Sequence, residues 1–174
     1  MKSYVQALLY VYPKLKTIER DLETHIRNKA LLSYRFSGSA DELCERLIGD
    51  IEEKKRVEDL ERVLESIIGG LTTEERFLLE FKYFGRQRRL SEYWDELGKR
   101  FGSERQYYRR QERLLNKLCS IFERLGLTEE NFQKNYGEFK WLTAIWRRLE
   151  SGKTVTGIER SSRKMLNIGG EKGE

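Results

Sequence analysis

The amino-acid sequence predicts an all-α fold, and three observations lead to that prediction. Its 174 residues contain a single proline, and 36% of them are charged, which suits long helices with solvent-exposed faces. Apolar residues recur at spacings of three and four along most of the chain, and that spacing is the period of a helix. Several Ser/Thr-x-x-Glu/Gln patterns mark helix starts. The predicted architecture is an N-terminal helical hairpin followed by a helix-turn-helix and a short C-terminal helical extension.

Residues 1–70 are predicted to form an antiparallel hairpin of two long helices, over about residues 3–34 and 40–68. In the first helix, Pro13 either causes a kink or lies in the first turn of a second, separate helix. A Ser-Gly-Ser turn precedes the other long helix, and Ser39 can begin it with a capping box. The heptad-like spacing of apolar residues suits either a homodimer through this segment or an intramolecular core.

Residues 71–125 are predicted to form a helix-turn-helix DNA-binding domain. A helix over residues 73–84 follows a Thr-x-x-Glu capping box, and a short helix over 91–101 follows a basic loop. Gly102 makes the tight turn, and a longer helix over 103–125 begins with Ser103 as its cap. The tight turn between two helices is what predicts the motif.

The chain beyond residue 125 is predicted to hold two further parts. Helical periodicity over 126–150 indicates a short C-terminal helical extension, and the glycine-containing segment 151–174 is predicted to be a flexible tail.

Positive charge is concentrated around the predicted helix-turn-helix. The net charge is +5, and residues 82–117 alone carry 11 basic and 5 acidic side chains, or +6, whereas residues 1–70 carry 12 and 13, or −1. A basic cluster on a DNA-binding motif is expected for a phosphate-bearing partner. A solvated basic surface accounts for the charge asymmetry equally well.

The helix predicted over 103–125 has two distinct faces at 3.6 residues per turn. Its apolar face consists of Tyr108, Gln111, Leu115, Leu118, Cys119 and Phe122. Its opposite, polar face consists of Gln106, Arg109, Arg110, Arg113 and Lys117. Glutamine and arginine on an exposed helix are the residue types that read base edges and hold phosphates. The helix is therefore predicted to lie in the major groove of DNA.

Individual roles follow from these positions. Gln106 and Arg109 are predicted to contact bases, while the later cations of the same face hold phosphates. Tyr108 is predicted to pack in the core, and Tyr107, at the edge of the face, either packs or contacts DNA. The residues predicted to contact double-stranded DNA are Arg86, Arg88, Arg89, Arg105, Gln106, Tyr107, Arg109, Arg110, Arg113 and Lys117. The competing interpretation is an arginine-rich surface helix on a scaffold protein.

Two stretches, LTTEERFLLEFKYF at 71–84 and DELGKRFGSERQYYRRQERLLNKL at 95–118, resemble region 4 of the bacterial primary-type sigma factors. The pattern Glu-hydrophobic-small-x-x-hydrophobic-Gly, here residues 96–102, carries much of the resemblance. The layout is also similar to that of small sigma-like transcription regulators of phages and mobile elements of Gram-positive bacteria. This resemblance implies that the helix after Gly102 reads a promoter −35 element and that RNA polymerase is a candidate partner.

The sequence contains no recognisable pattern for catalysis or for a cofactor. His25 is the only histidine and no closely spaced cysteine pair occurs, which argues against a zinc site. Glycine-rich phosphate loops are also missing from the sequence. We therefore predict that the protein is not an enzyme and uses no cofactor or metal.

Cysteine usage and hydropathy bear on where the protein resides. Cys44 and Cys119 are predicted to be buried free thiols in a reducing compartment. No run of residues approaches 18 consecutive apolar positions, so no membrane partner is expected. These observations predict a cytoplasmic protein.

Two other function classes remain open at this stage. A small terminase-like phage DNA-packaging protein also joins a helix-turn-helix to coiled-coil segments, and it forms rings. A helical adaptor of RNA polymerase would bind protein alone. A ring of many copies would indicate packaging, a monomer or dimer would favour transcription, and failure to bind DNA would favour the adaptor.

Overall fold

A computed structural model of the protein describes residues 3–84 and 103–152, and these form six α-helices with no strand among them. A 3-10 turn, Ser33–Arg35, follows the first helix. The all-α prediction is confirmed, whereas the predicted helix over 91–101 lies outside the described residues. The helices are α1 Ser3–Leu31, α2 Ala40–Gly69, α3 Thr73–Tyr83, α4 Glu104–Arg124, α5 Glu129–Tyr136 and α6 Lys140–Glu150.

Local capping interactions begin the helices where the sequence predicts them. The side chains of Ser39 and Thr72 each accept a hydrogen bond from the backbone N–H three residues on. In return the carboxylates of Glu42 and Glu75 accept from the backbone N–H of the capping residue. Each capping box satisfies two helix-end donors that otherwise lack a partner, and a cap of this kind contributes about 1 kcal/mol. These two predicted boxes are thus confirmed; at the third, Ser103 with Gln106, the structure shows the hydrogen bond from the Gln106 N–H to the serine hydroxyl.

Pro13 lies inside α1, which continues as one helix from Ser3 to Leu31. The alternative of two separate helices meeting at Pro13 is therefore wrong. Proline has no backbone N–H for the carbonyl four residues earlier, so one bond of the helical ladder is absent at this point.

Helices α1 and α2 form the predicted antiparallel hairpin. Lys29 Nζ lies 2.5 Å from an Asp50 carboxylate oxygen, and Lys54 Nζ lies 4.0 Å from Glu23. From the first pair to the second, the α1 residue number decreases from 29 to 23 while the α2 residue number increases from 50 to 54. The two helices therefore run antiparallel. Within residues 3–84 and 103–152, no helix is both long and apolar enough to cross a bilayer.

The carboxyl group of Glu61 on α2 lies close to that of Glu19 on α1. Burial and then the charge of Glu19 are the main causes that raise the pKa of Glu61 above its usual 4.5; Lys16 lowers it in part, and a hydrogen bond with Glu19 and the charge of Glu65 add to the rise. The folded protein therefore binds this proton more tightly than the unfolded chain does. By linkage, stability falls as the pH rises from 4.5 through the raised pKa.

Replacing Glu61 with glutamine is expected to remove this pH dependence, because an amide does not titrate. The melting temperature of Glu61→Gln should exceed that of the wild type at pH 7 by a few degrees at most, with a smaller difference near pH 4.5. Thermal melts followed by circular dichroism test this. Asp59→Asn, at an exposed position on α2, should melt like the wild type at both pH values. Equal pH slopes for Glu61→Gln and the wild type would contradict the prediction.

The chain divides into two compact units, one formed by residues 1–10 with 101–174 and the other by residues 11–100. Helix α1 therefore contributes its first turns to one unit and the rest to the other. These two units are defined by tertiary contacts, whereas the four segments predicted from the sequence are consecutive stretches of chain. The boundaries of those four segments stay predictions.

Phe132 on α5 is central to the unit that contains α4. Its ring lies 5.7 Å from Tyr4, 5.9 Å from Tyr136 and 5.4 Å, edge-on, from Trp146. Offset and edge-to-face contacts of this kind add about 0.5–1.5 kcal/mol beyond the burial of apolar area. The buried apolar residues of this unit include Val5, Leu8, Leu9, Leu114, Leu118, Phe122, Phe139 and Leu142.

The unit formed by residues 11–100 has its own core. Tyr12 on α1 packs on Phe84, with ring centroids 5.3 Å apart. Its buried apolar residues include Val11, Leu15, Val57, Leu60, Leu64, Leu71, Leu78, Leu79 and Phe81.

Candidate nucleic-acid interface

Helix α4 has well-defined ends at both termini. Ser103 has extended backbone geometry, and its hydroxyl accepts a 3.3 Å hydrogen bond from the N–H of Gln106. At the other end, Gly126 has φ 74°, a left-handed conformation that glycine adopts without strain. This turn lets the Leu127 N–H bond to the carbonyl of Phe122 at 2.9 Å. Both ends of the helix are thus fixed by local hydrogen bonds.

One side of α4 is packed inside its unit. The buried positions recur at spacings of three and four, as expected of a helix with one inward face. They are Tyr107, Gln111, Leu114, Leu115, Leu118 and Phe122. Packing on this side leaves the opposite side of the helix open to solvent.

The exposed side of α4 bears a row of cations, which we call the α4 cation row: Arg105, Arg109, Arg113 and Lys117. All four side chains are exposed. They are four residues apart, so consecutive members lie about 6 Å apart along the helix axis and the row spans about 18 Å. The whole of α4 carries six basic and three acidic residues.

Like charges four residues apart repel one another by about 0.2–0.5 kcal/mol per pair in a helix. The α4 cation row contains three such pairs, so the folded protein carries a small electrostatic cost on this face. Glu112, three residues after Arg109, offsets part of it. A polyanion lying along the row would lower this repulsion further, which makes this face suited to a chain of phosphates.

The prediction that Tyr108 packs in the core is wrong, because its side chain is 59% exposed while that of Tyr107 is only 7% exposed. The buried face of α4 is rotated by part of a turn relative to the predicted one. Leucine and phenylalanine at positions 114, 115, 118 and 122 define that face, and residue 107 lies nearer its centre than residue 108 does. Tyr107 is therefore placed inside, away from the side that a duplex would approach.

Tyr107 and Gln111 form a buried polar pair one helical turn apart. The Gln111 side-chain amide donates a 3.1 Å hydrogen bond to the Tyr107 hydroxyl oxygen. Burial is the main cause that raises the pKa of Tyr107 to about 12. The phenol therefore stays neutral at physiological pH and acts in the packing of α4.

Two residues of the exposed face were missed by sequence reasoning: Tyr108 and Glu112 line a shallow depression together with Arg105 and Arg109. Tyr108 was assigned to the core because tyrosine is counted as apolar. A buried face defined by the aliphatic residues alone would have placed Tyr108 on the solvent side. A glutamate here can accept a hydrogen bond from a cytosine amino group or orient a neighbouring arginine.

Comparison of the chain with models of known protein families, with curated proteins and with solved structures finds no match in any of the three. The resemblance to sigma region 4 therefore stays an interpretation of the sequence motifs. Among residues 3–84 and 103–152, no group of three or more histidine, cysteine or acidic side chains is arranged to hold a metal ion.

The structure brings most of the predicted contact residues on α4 to one side. Gln106 is exposed together with the four members of the α4 cation row, while Arg110 is half-buried and Tyr107 buried. The three arginines of the predicted basic loop, Arg86, Arg88 and Arg89, lie outside the described residues.

The expectation that both cysteines are buried is wrong for Cys44, whose side chain is exposed on α2; Cys119 is half-buried. Cys44 lies on a part of α2 where no residue is buried, so its apolar helix neighbours did not imply a core position.

Proposed function

We propose that this protein is a sequence-specific double-stranded DNA-binding transcription regulator that reads the major groove with α4. The observation that carries the proposal is the α4 cation row, four exposed cations at a spacing of four on a helix whose other side is buried. The major groove is about 12 Å wide, and a helix with its side chains is about 10–12 Å across. A helix anchored along one side and cationic along the other has the shape and charge for that groove.

The side chains have two roles: some bind phosphates and position the protein on the duplex, and others contact base edges and recognise the sequence. Arg113 and Lys117 hold phosphates of the backbone, as does the loop arginine set Arg86, Arg88 and Arg89. Gln106 and Arg109, nearer the N-terminus of α4, contact base edges. Each bidentate contact of arginine with guanine or glutamine with adenine discriminates by about 1–3 kcal/mol.

The sequence resemblance makes the proposal more specific. If residues 71–125 act as sigma region 4 does, the target is a promoter element and RNA polymerase is the protein partner. A phage or mobile-element origin and a cytoplasmic location accompany this proposal. Neither catalysis nor a cofactor is part of it.

Binding of the full chain to a pool of random duplexes tests the proposal. With about five cations on phosphates, the logarithm of the binding constant should fall with that of salt concentration at a slope near −4 to −5. Sequencing of the duplexes recovered after several rounds of selection should yield one enriched motif. Lack of binding at about 50 mM salt, or recovery of unenriched sequences, would contradict the proposal.

Two single variants separate base contact from phosphate contact. Arg109→Ala is expected to weaken binding and relax preference at one position of the motif, whereas Lys117→Ala should weaken all sequences alike and reduce the salt slope by about 1. Equal losses on matched and mismatched duplexes from both variants would show that Arg109 reads no base.

A further inference from the structure

The outer part of the α1–α2 hairpin contains no buried residue from position 16 to position 56. We call residues 16–56 the hairpin arm. Several of its large apolar side chains are exposed, which is uncommon for a helix pair with its own core. The exposed ones are Leu31, Leu32, Tyr34, Ile48 and Ile51.

Helix α2 has two apolar stripes within the hairpin arm. Leu43 and Leu47 are half-buried on the stripe that faces α1. Cys44, Ile48 and Ile51 recur at spacings of four and three, which places them together on a second stripe. Ile48 is 56% exposed and Ile51 is 51% exposed, so this second stripe has no cover within the residues that the structure describes.

The ion pair between Lys54 and Glu23 shows which residues of α1 share a side with the second stripe. Ile51 lies one turn before Lys54 on α2. Arg20 and Arg27 lie one turn on either side of Glu23 on α1, and both are exposed. The isoleucines and these arginines therefore occupy the same side of the hairpin arm.

Acidic residues border the second stripe on its other side. Asp41, Glu45 and Glu52 are exposed on α2, adjacent to the stripe around the helix. Across this side of the arm lie an acidic edge on α2, the apolar stripe, and a mainly basic edge on α1, where the exposed Arg20 and Arg27 flank Glu23, whose carboxylate pairs with Lys54. When a second copy is related to the first by a two-fold rotation, the acidic edge of each copy faces the basic edge of the other.

We propose that this side of the hairpin arm binds a second copy of the chain. A two-fold axis parallel to the helices places α2 of one copy against α1 of the other. The acidic edge of each copy then meets the basic edge of its partner, and the isoleucine stripes enter a four-helix core. The inference is independent of DNA binding, since it concerns the free protein.

The oligomeric state of the full chain without DNA tests the proposal. Sedimentation equilibrium should give a dimer for the wild type. Ile48→Glu/Ile51→Glu should be monomeric with an unchanged helical circular dichroism spectrum, because both side chains are already exposed in the single chain. Asp59→Lys, at an exposed position on α2 beyond the arm, should dimerise like the wild type. A monomeric wild type, or a ring of many copies, would overturn the proposal.

Charge reversal distinguishes this pairing from a dimer held by apolar contact alone. Glu45→Lys/Glu52→Lys leaves Asp41 as the one acid of the α2 edge and makes both edges mainly basic, and Arg20→Glu/Arg27→Glu makes both edges acidic. Each variant alone should dimerise about tenfold or more weakly, because like charges then face each other. Mixed together, the two variants should form a one-to-one heterodimer of near wild-type affinity. Failure of the mixture to pair would show that the two edges do not meet and would refute the arrangement.

Discussion

Reversing the charge of three arginines on α4 is expected to abolish DNA binding. The variant Arg105→Glu/Arg109→Glu/Arg113→Glu removes three of the four cations of the α4 cation row and adds three groups that repel a duplex. We expect affinity to fall about 1000-fold or more at moderate salt, because each lost contact also loses its share of counterion release. Fluorescence anisotropy with a selected duplex measures the loss.

A matched control has the same change in net charge at another place in the same unit. Lys134→Glu/Arg147→Glu/Arg148→Glu alters three exposed cations on α5 and α6. Its affinity should fall far less, by the general effect of net charge. Glutamate has a helix propensity close to that of arginine, so both triple variants should remain folded. Similar losses from the two would show that α4 is not the binding surface.

Phe132→Ala is expected to cause the largest loss of stability, about 3–5 kcal/mol. Phe132 is 0% exposed, and its ring contacts Tyr4, Tyr136 and Trp146. Truncation to alanine leaves a cavity among these rings, which the surrounding helices fill only in part. Urea unfolding followed by tryptophan fluorescence measures the change, and the melting temperature should fall by about 10 °C.

Two further substitutions make this result specific. Gln133→Ala, at the exposed neighbouring position, should change stability by no more than about 0.5 kcal/mol. Tyr4→Ala should cost about as much as Phe132→Ala, because the two rings belong to one core although they lie far apart in the chain. A loss below about 1 kcal/mol for Phe132→Ala would contradict this picture of the core.

Features that depend on a few neighbouring residues were predictable from the sequence. Capping boxes at Ser39 and Thr72 mark the helix starts because a side chain and a backbone N–H three residues apart form them. The antiparallel hairpin follows from two long helices joined by a short turn. The four members of the α4 cation row lie on the solvent side as predicted, because charged side chains avoid burial, whereas Arg110, predicted there too, is half-buried.

The exact rotation of α4 was not predictable in the same way. Periodicity sets the spacing of the buried residues, but either of two adjacent tyrosines can border an apolar face. Packing within the unit buries Tyr107 with its hydrogen bond to Gln111 and leaves Tyr108 in solvent. Tyr107 is therefore removed from the candidate contact surface, and Tyr108 is added to it.

From the sequence alone one could predict, to within a few residues, where the described helices begin and that one of them carries a row of cations, because caps and helical spacing act over a few residues. Only the tertiary structure decided which tyrosine of α4 is buried and that the first turns of α1 belong with residues 101–174. The second outcome depends on contacts such as that of Tyr4 with Phe132, more than a hundred residues apart in the chain, and local propensity carries no information about such contacts.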